Sequence, residues 1–224
     1  MMKAWNRYLV SMLCLLPLSM PAQIFSKKSN IRFLALGDSY TIGESVAEPQ
    51  RWPNQLVDYL SRDYTFQKPK IIAVTGWRTD QLKQAIMEAN LSTDYDLVSL
   101  LIGVNNQYQG RSITQYEKEF LDLLQMSIRQ AHGDKSRVFV ISIPDYGFTP
   151  FGKEKQKEIS RQIDAFNEVN KSVTLENGVT YVNITDISRR GLKDPQLIAE
   201  DGLHPSGKMY SLWVEHIVTA LSSR

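Results

Sequence analysis

The sequence contains very little cysteine and histidine, and this scarcity excludes several kinds of site. The single cysteine, Cys14, lies in the amino-terminal leader described below. The rest of the chain therefore offers no disulfide, no thiol nucleophile and no cysteine-bound zinc. The three histidines, His132, His204 and His216, provide no ligand pair at helical spacing. We therefore expect no metal site and disfavour a metal-dependent mechanism.

The sequence also lacks two glycine patterns that mark well-known sites. Neither G-x-G-x-x-G nor a Walker-type glycine set follows the first apolar run, and Asp38 would repel a phosphate at that place. This argues against a flavodoxin-like protein that binds a cofactor. The G-x-S-x-G elbow of the α/β-hydrolases is absent as well.

The chain has no excess of charge of either sign. Its 26 basic and 24 acidic residues give a formal net charge of +2. The leader carries two of the basic residues, Lys3 and Arg7, and no acid, so the remaining chain is formally neutral. A neutral chain without a basic run predicts no binding to nucleic acid.

Long hydrophobic runs are missing too. The apolar run from Tyr8 to Leu18 is too short for a stable membrane anchor, and small residues near Ala22 follow it. After the basic residues at positions 3 and 7, this is the layout of a secretory signal peptide. We therefore expect residues 1–22 to be a signal peptide and residues 23–224 to form a single domain.

This interpretation predicts a periplasmic or secreted protein with no stable membrane span once the leader is removed. An uncleaved anchor is the weaker alternative. Lipidation of Cys14 is disfavoured because the residue before it, Leu13, is bulky. The oligomeric state and the true cleavage point do not follow from the sequence.

The remaining chain alternates between apolar runs and segments of helical spacing. Several runs are apolar almost throughout, as expected for strands that are covered on both faces. Five strands are predicted at 31–36, 71–74, 97–103, 138–143 and 179–182. Helices are predicted at about 51–61, 79–90, 114–131, 153–175 and 206–221. Such alternation predicts an α/β fold with a parallel sheet of about five strands and helices on both faces.

Unusual polar segments follow the first three strands and precede the last helix. They read GDSY, TGWRTDQL, GVNNQYQG and DGLHPSG. Because ligands of such folds bind beyond the carboxyl ends of the strands, the first three segments should meet at one rim. There, Ser39 would supply a nucleophilic oxygen. The N–H groups of Ser39 and Gly76 and the amide of Asn105 would supply donors for an oxyanion.

A general base is offered by the fourth segment. His204 lies three residues after Asp201, in a loop bounded by glycine and proline. An aspartate that orients one ring nitrogen leaves the other to accept the proton of a serine. Each element also has an ordinary structural explanation: Ser39 as a residue of a helix-starting turn, Gly76 and Asn105 as turn residues, and Asp201 with His204 as a turn before a helix.

Taken together and in this order, these segments resemble the four motif blocks of the SGNH (GDSL-type) hydrolase family. GDSY resembles the first block, Gly76 the second, Asn105 the third, and Asp201 with His204 the last. The resemblance covers nearly all of the chain after the leader. Tyr40 departs from the Leu of the family name, and Asn106 stands where an Asp often follows the third-block Asn.

The resemblance implies a flavodoxin-like three-layer α/β/α sandwich and a serine esterase without cofactor or metal. In that family mechanism, Ser39 attacks an ester carbonyl, His204 transfers the proton and Asp201 orients His204. The oxyanion hole would consist of Ser39, Gly76 and Asn105. Asp38 is interpreted as a structural residue of the turn.

Aromatic residues near the strand ends provide candidate contacts for the substrate. Tyr108, Tyr146 and Phe148 are the candidates chosen here. Such rings hold an acyl chain or stack on a sugar, so lipid and glycan esters both stay open. We prefer short or medium acyl esters, including lysophospholipid-like ones, over a glycan O-acetylesterase. A non-catalytic binding module is a further alternative, but it predicts damage to Ser39, Asp201 or His204.

Overall fold

The computed structural model describes residues 24–25 and 29–223. The predicted signal peptide, residues 1–22, lies outside these residues, so leader and export stay predictions. The described chain contains a five-stranded parallel sheet with strand order β2-β1-β3-β4-β5. The strands are β1 (Phe33–Gly37), β2 (Lys70–Ala73), β3 (Leu97–Leu101), β4 (Val138–Ile141) and β5 (Thr180–Val182). The prediction of a parallel α/β sheet is thus confirmed.

Helices connect the strands and cover both faces of the sheet. They are α1 (Ser39–Ile42), α2 (Trp52–Leu60), α3 (Thr79–Glu88), α4 (Val104–Tyr108), α5 (Ile113–Gln130), α6 (Gln156–Glu176), α7 (Thr185–Ser188) and α8 (Gly207–Ser222). Helix α2 packs against α8, whereas α5 packs against both α3 and α6. This pairing is that of a three-layer α/β/α sandwich.

The burial of each strand follows its place in the sheet. All residues of β1, β3 and β4 are buried, because these strands have a neighbour on each side and helices above and below. The edge strands β2 and β5 are only partly buried, and Lys70 of β2 is exposed. The core strands therefore read as continuous apolar runs, as parallel strands do.

The strand order places the carboxyl ends of β1 and β3 at a topological switch point. From β1 the chain moves outward to β2, and from β2 it crosses back over β1 to β3. A crevice forms where connections leave a sheet in opposite directions, and ligands of open α/β folds bind there. Ser39 lies two residues after the end of β1, and Asn105 lies four residues after the end of β3.

Most observed boundaries differ from the predicted ones by a few residues at most, and two of these differences have a clear structural origin. The strand predicted at 97–103 ends at Leu101, because Gly103 has φ +133° and the chain then enters the short helix α4. A Cβ at Gly103 would also lie 2.6 Å from the Tyr116 hydroxyl. The helix predicted at 153–175 begins as a separate 3-10 turn, and α6 itself starts at Gln156.

Candidate active site

Ser39 is the first residue of α1 and directly follows the turn at the end of β1. The Asp38 carboxylate accepts a hydrogen bond from the Tyr40 N–H at 3.0 Å and so caps the helix. Gly37 lets the turn close, because a Cβ there would overlap the Thr41 hydroxyl and lie 2.5 Å from the Leu101 carbonyl oxygen. The turn thus fixes the backbone of Ser39 at the carboxyl end of the buried strand β1.

Asp38 is buried beneath this turn, and its environment disfavours a charge. Burial raises the pKa of Asp38 from 3.8 to about 7, against the opposing effect of the Tyr40 and Asp38 N–H groups. Its second carboxylate oxygen, Oδ2, is buried without a hydrogen-bond partner in the described part of the chain. These contacts agree with a structural role for Asp38 in the turn.

The side chains of His204 and Asp201 form a hydrogen-bonded pair. The distance from His204 Nδ1 to Asp201 Oδ2 is 2.6 Å. Asp201 Oδ1 accepts the N–H groups of Leu203 and His204, both at 2.9 Å. Burial alone would raise the pKa of Asp201, but these bonds, together with one from Ser45, hold that pKa well below its usual range. Asp201 is therefore an anion that faces the His204 ring.

The loop that carries this pair is held by backbone pairing rather than by a helix. Ile198 and Pro205 form an antiparallel bridge across the loop, and the Ala199 N–H donates to the His204 carbonyl at 2.8 Å. The ring of Tyr40 packs edge-on against the His204 ring, with centroids 5.6 Å apart. The imidazole is thus supported on two sides.

The proposed oxyanion donors face the same cavity as Ser39 and His204. Gly76 has φ +84°, which brings the chain around the carboxyl end of β2. Asn105 uses one amide hydrogen to bond the Trp77 carbonyl at 3.0 Å, which fixes the orientation of its side chain. Among the described residues, the N–H groups of Ser39 and Gly76 have no hydrogen-bond acceptor.

Asn106 has a different task from its neighbour Asn105. It is buried, and its amide both accepts the Thr79 N–H at 3.1 Å and donates to the Thr79 hydroxyl at 2.6 Å. Since Thr79 is the first residue of α3, this pair joins the loop after β3 to the start of that helix. The Asn at this place therefore preserves a structural connection between two rim loops.

One cavity of about 190 Å³ unites these groups. Its wall contains the candidate residues Ser39, Gly76, Asn105 and His204. Its other side is aromatic: the rings of Tyr108, Tyr146 and Phe151 lie 6.1 to 6.3 Å apart. Phe148, chosen from sequence, is not among the lining residues, whereas Phe151 is.

A second groove of about 450 Å³ adjoins the same three rings. Tyr108, Tyr146 and Phe151 line both spaces. The groove is otherwise mainly polar, and its side chains include Gln107, Glu154, Lys155, Glu158 and Gln162. The aromatic wall thus separates a small cavity at Ser39 from a wider polar groove.

Sequence reasoning did not choose several residues that the structure brings to the site, among them Phe151, Leu203 and Ser45. Phe151 and Leu203 line the cavity, and the Ser45 hydroxyl donates to Asp201 Oδ2 at 2.7 Å. Phe151 lies in the same segment, residues 146–151, as the candidates Tyr146 and Phe148, so the sequence offered a signal for it. The sequence offered no signal for Ser45, because it lies 156 residues from Asp201, the residue that it contacts.

No group of three or more His, Cys, Asp or Glu side chains in residues 24–25 and 29–223 is arranged to hold a metal ion. In the same part of the chain, no helix has the length and apolar character that crossing a membrane requires.

Solved structures with the same architecture include several esterases and lipases. TesA shares 17% identity at a TM-score of 0.68, over 85% of this chain and 97% of that one. Axe2, an acetylxylan esterase from Geobacillus stearothermophilus, shares 18% identity at a TM-score of 0.66, over 87% and 95%. A lipolytic protein of the G-D-S-L family from Veillonella parvula shares 16% identity at a TM-score of 0.66, over 84% and 97%. The fold is thus that of the SGNH hydrolases.

Comparison of the sequence with known families assigns the chain more narrowly than the fold does. The model of the GDSL-like lipase/acylhydrolase family matches residues 35–212, and the chain belongs to this family. It is accordingly a carboxylic ester hydrolase. No curated relative matches the sequence.

Proposed function

We propose that this protein is a serine esterase that works through Ser39, His204 and Asp201. The observation that carries the proposal is the cavity in which Ser39 and His204 meet, combined with the 2.6 Å bond from His204 Nδ1 to Asp201. This bond occupies Nδ1 and leaves Nε2 as the ring nitrogen that accepts a proton. The family match supports the reaction class.

In the proposed mechanism, Ser39 Oγ attacks the ester carbonyl carbon while His204 Nε2 takes the Oγ proton. The carbonyl oxygen becomes an oxyanion that the Ser39 and Gly76 N–H groups and the Asn105 amide stabilise. His204 then gives its proton to the leaving alcohol as the carbon–oxygen bond breaks. Water, deprotonated by His204, attacks the acyl-enzyme in the same way and releases the acid. No step uses a cofactor or a metal.

The preferred substrates are short or medium acyl esters, including lysophospholipid-like ones. The cavity at Ser39 has a volume of about 190 Å³ and a wall of Tyr40, Val104, Tyr146 and Leu203 that suits an apolar acyl group. From the leader alone, we propose that the protein acts in the periplasm or outside the cell.

A glycan O-acetylesterase is the second candidate, and the polar groove favours it. Tyr108 and Phe151 are 60% and 54% exposed at the border between cavity and groove. Exposed aromatic faces stack on sugar rings, while amide and carboxylate side chains beside them bind hydroxyl groups. In this arrangement the acetyl group would occupy the small cavity and the sugar the groove.

Hydrolysis of p-nitrophenyl esters from acetate to decanoate tests the reaction, with release of acetate from acetylated xylo-oligosaccharide measured in parallel. We expect Ser39→Ala and His204→Ala to lower kcat by a factor on the order of 10⁴ to 10⁶, and Asp201→Ala to cost less because the imidazole remains.

The two arms of this experiment decide different questions. A Ser39→Ala variant that keeps wild-type turnover would disprove the serine mechanism. Activity on acetylated sugar alone would replace the preferred substrate class with the second candidate. A maximum at a middle chain length would support the preferred one.

A further inference from the structure

A serine outside the family motifs contacts the proposed triad. The Ser45 hydroxyl donates a hydrogen bond of 2.7 Å to Asp201 Oδ2. The same oxygen lies 2.6 Å from His204 Nδ1. We propose that Ser45 is a positioning residue, which holds the Asp201 carboxylate in the orientation that His204 requires. This inference rests on the proposed function.

The exposure of Asp201 explains why such a residue has a task here. Its side chain is 30% exposed, so water competes for the carboxylate oxygens. Two backbone N–H groups hold Oδ1, but His204 and Ser45 are the donors to Oδ2 that the described structure contains. No lysine or arginine within residues 29–223 forms an ion pair with Asp201. Without Ser45, the oxygen that faces His204 would be fixed by His204 alone.

The backbone of Ser45 adds an independent observation. Ser45 has φ +64°, a left-handed conformation that is costly for residues other than glycine, asparagine and aspartate. Strain of this kind persists where the surrounding structure demands it, and it is concentrated at functional sites. Here the left-handed turn coincides with the contact between the Ser45 hydroxyl and Asp201.

The loop around Ser45 is anchored by other contacts. The Thr75 hydroxyl donates to the Glu44 carboxylate, and the Gly43 and Glu44 N–H groups both bond the Ser39 carbonyl at 3.0 Å. Loss of the Ser45 hydroxyl therefore removes one bond to Asp201 and leaves the course of the loop in place. This separation makes the positioning role testable.

The first experiment compares Ser45→Gly and Ser45→Ala in hydrolysis of p-nitrophenyl acetate. Both variants lack the hydroxyl, but glycine also relieves the left-handed strain. We expect kcat to fall roughly tenfold in both, the usual size for one bond to a charged group, with KM nearly unchanged. The melting temperature of Ser45→Gly should equal or exceed that of the wild type, so the loss of turnover is not a loss of folding.

His132→Gly is the matched control. His132 also has a left-handed backbone, at φ +60°, and it lies after α5, outside the residues that line the cavity. This variant relieves strain of the same kind, so we expect unchanged kcat. A kcat loss in His132→Gly as large as in Ser45→Gly would contradict a specific role for Ser45.

A double-mutant cycle tests whether Ser45 acts through Asp201. We expect Ser45→Gly to lower kcat in the wild type and to have no effect in an Asp201→Ala background, where the carboxylate is gone. Equal losses in both backgrounds, or unchanged kcat in the single variant, would overturn the inference while the esterase assignment stands. Wild-type turnover that survives Ser39→Ala would instead overturn the proposed function, and with it this role.

Discussion

At the scale of single residues, adjacent side chains in the rim loops have separate tasks. Asn105 lines the cavity and is oriented by the Trp77 carbonyl, whereas Asn106 is buried and pairs with Thr79. The two asparagines are adjacent in a short helix but bond different groups of the loop after β2 and the start of α3. Substitution at one should therefore affect turnover, and at the other stability.

We expect Asn105→Ala to lower kcat by about 10²–10³, the usual effect of losing one oxyanion donor, with little change in melting temperature. Asn106→Ala should instead destabilise the fold by about 1–3 kcal/mol, because the buried Thr79 N–H loses its acceptor and the Thr79 hydroxyl keeps only its bond to Glu119. Kinetics and chemical denaturation of both variants check this division. Full activity of Asn105→Ala would remove it from the oxyanion hole.

At the scale of secondary-structure elements, the site is assembled at places where strands stop. The chain leaves β1, β2 and β3 through turns that contain Gly37, Gly76 and Gly103. Each turn ends its strand and sends the chain along the rim, so that Ser39, Gly76 and Asn105 come to one cavity. The histidine loop approaches from the end of the chain, where a β-bridge holds it.

The turn after β3 gives a prediction at this scale. Gly103→Ala adds a Cβ that lies 2.6 Å from the Tyr116 hydroxyl, in a backbone with φ +133°. We expect a loss of about 2–5 kcal/mol in the free energy of unfolding. Gly110→Ala is the control, since Gly110 has φ +64° but no atom within 4 Å of an added Cβ. The free energy of unfolding of Gly110→Ala should fall by only about 1–2 kcal/mol. Equal losses in urea denaturation would refute the steric explanation.

At the scale of the whole molecule, the buried carboxyl group of Asp38 makes the stability of the fold depend on pH. Asp38 lies between the central strands and α1, and burial raises its pKa from 3.8 to about 7. The folded state therefore keeps a proton that the unfolded state releases between about pH 4 and pH 7. The free energy of unfolding should fall as the pH rises through this window, by at most about 4 kcal/mol from this group.

Asp38→Asn tests this dependence. Asparagine keeps an oxygen that can cap α1 but has no proton to release in this range. We expect urea denaturation to show a flatter pH dependence for the variant, and the variant to gain stability relative to the wild type between pH 5 and pH 8. Asp201 has the opposite effect on the pH dependence of stability. Because its pKa is lowered in the folded state, ionised Asp201 stabilises the fold above about pH 4, and acidification removes this stabilisation. Identical pH profiles for Asp38→Asn and the wild type would contradict a protonated Asp38.

The strands, the long helices and the family could be predicted from local patterns in the amino-acid sequence. Buried parallel strands need apolar side chains on both faces, and this need leaves a pattern that can be read directly. The motif residues could also be recognised in the sequence. The turn that exposes Ser39 and the loop that pairs Asp201 with His204 are each formed by residues close together in the chain. The short helices α4 and α7 were not predicted, because each spans a single turn without a recognisable period.

Which other side chains reach the site depends on the three-dimensional packing of the chain. Ser45 meets Asp201 across 156 residues, and Phe151 rather than Phe148 lines the cavity, although both belong to one aromatic segment. Such contacts depend on the relative placement of loops from different parts of the chain. No local pattern encodes that placement, because it results from how the sheet and its two helical layers pack together.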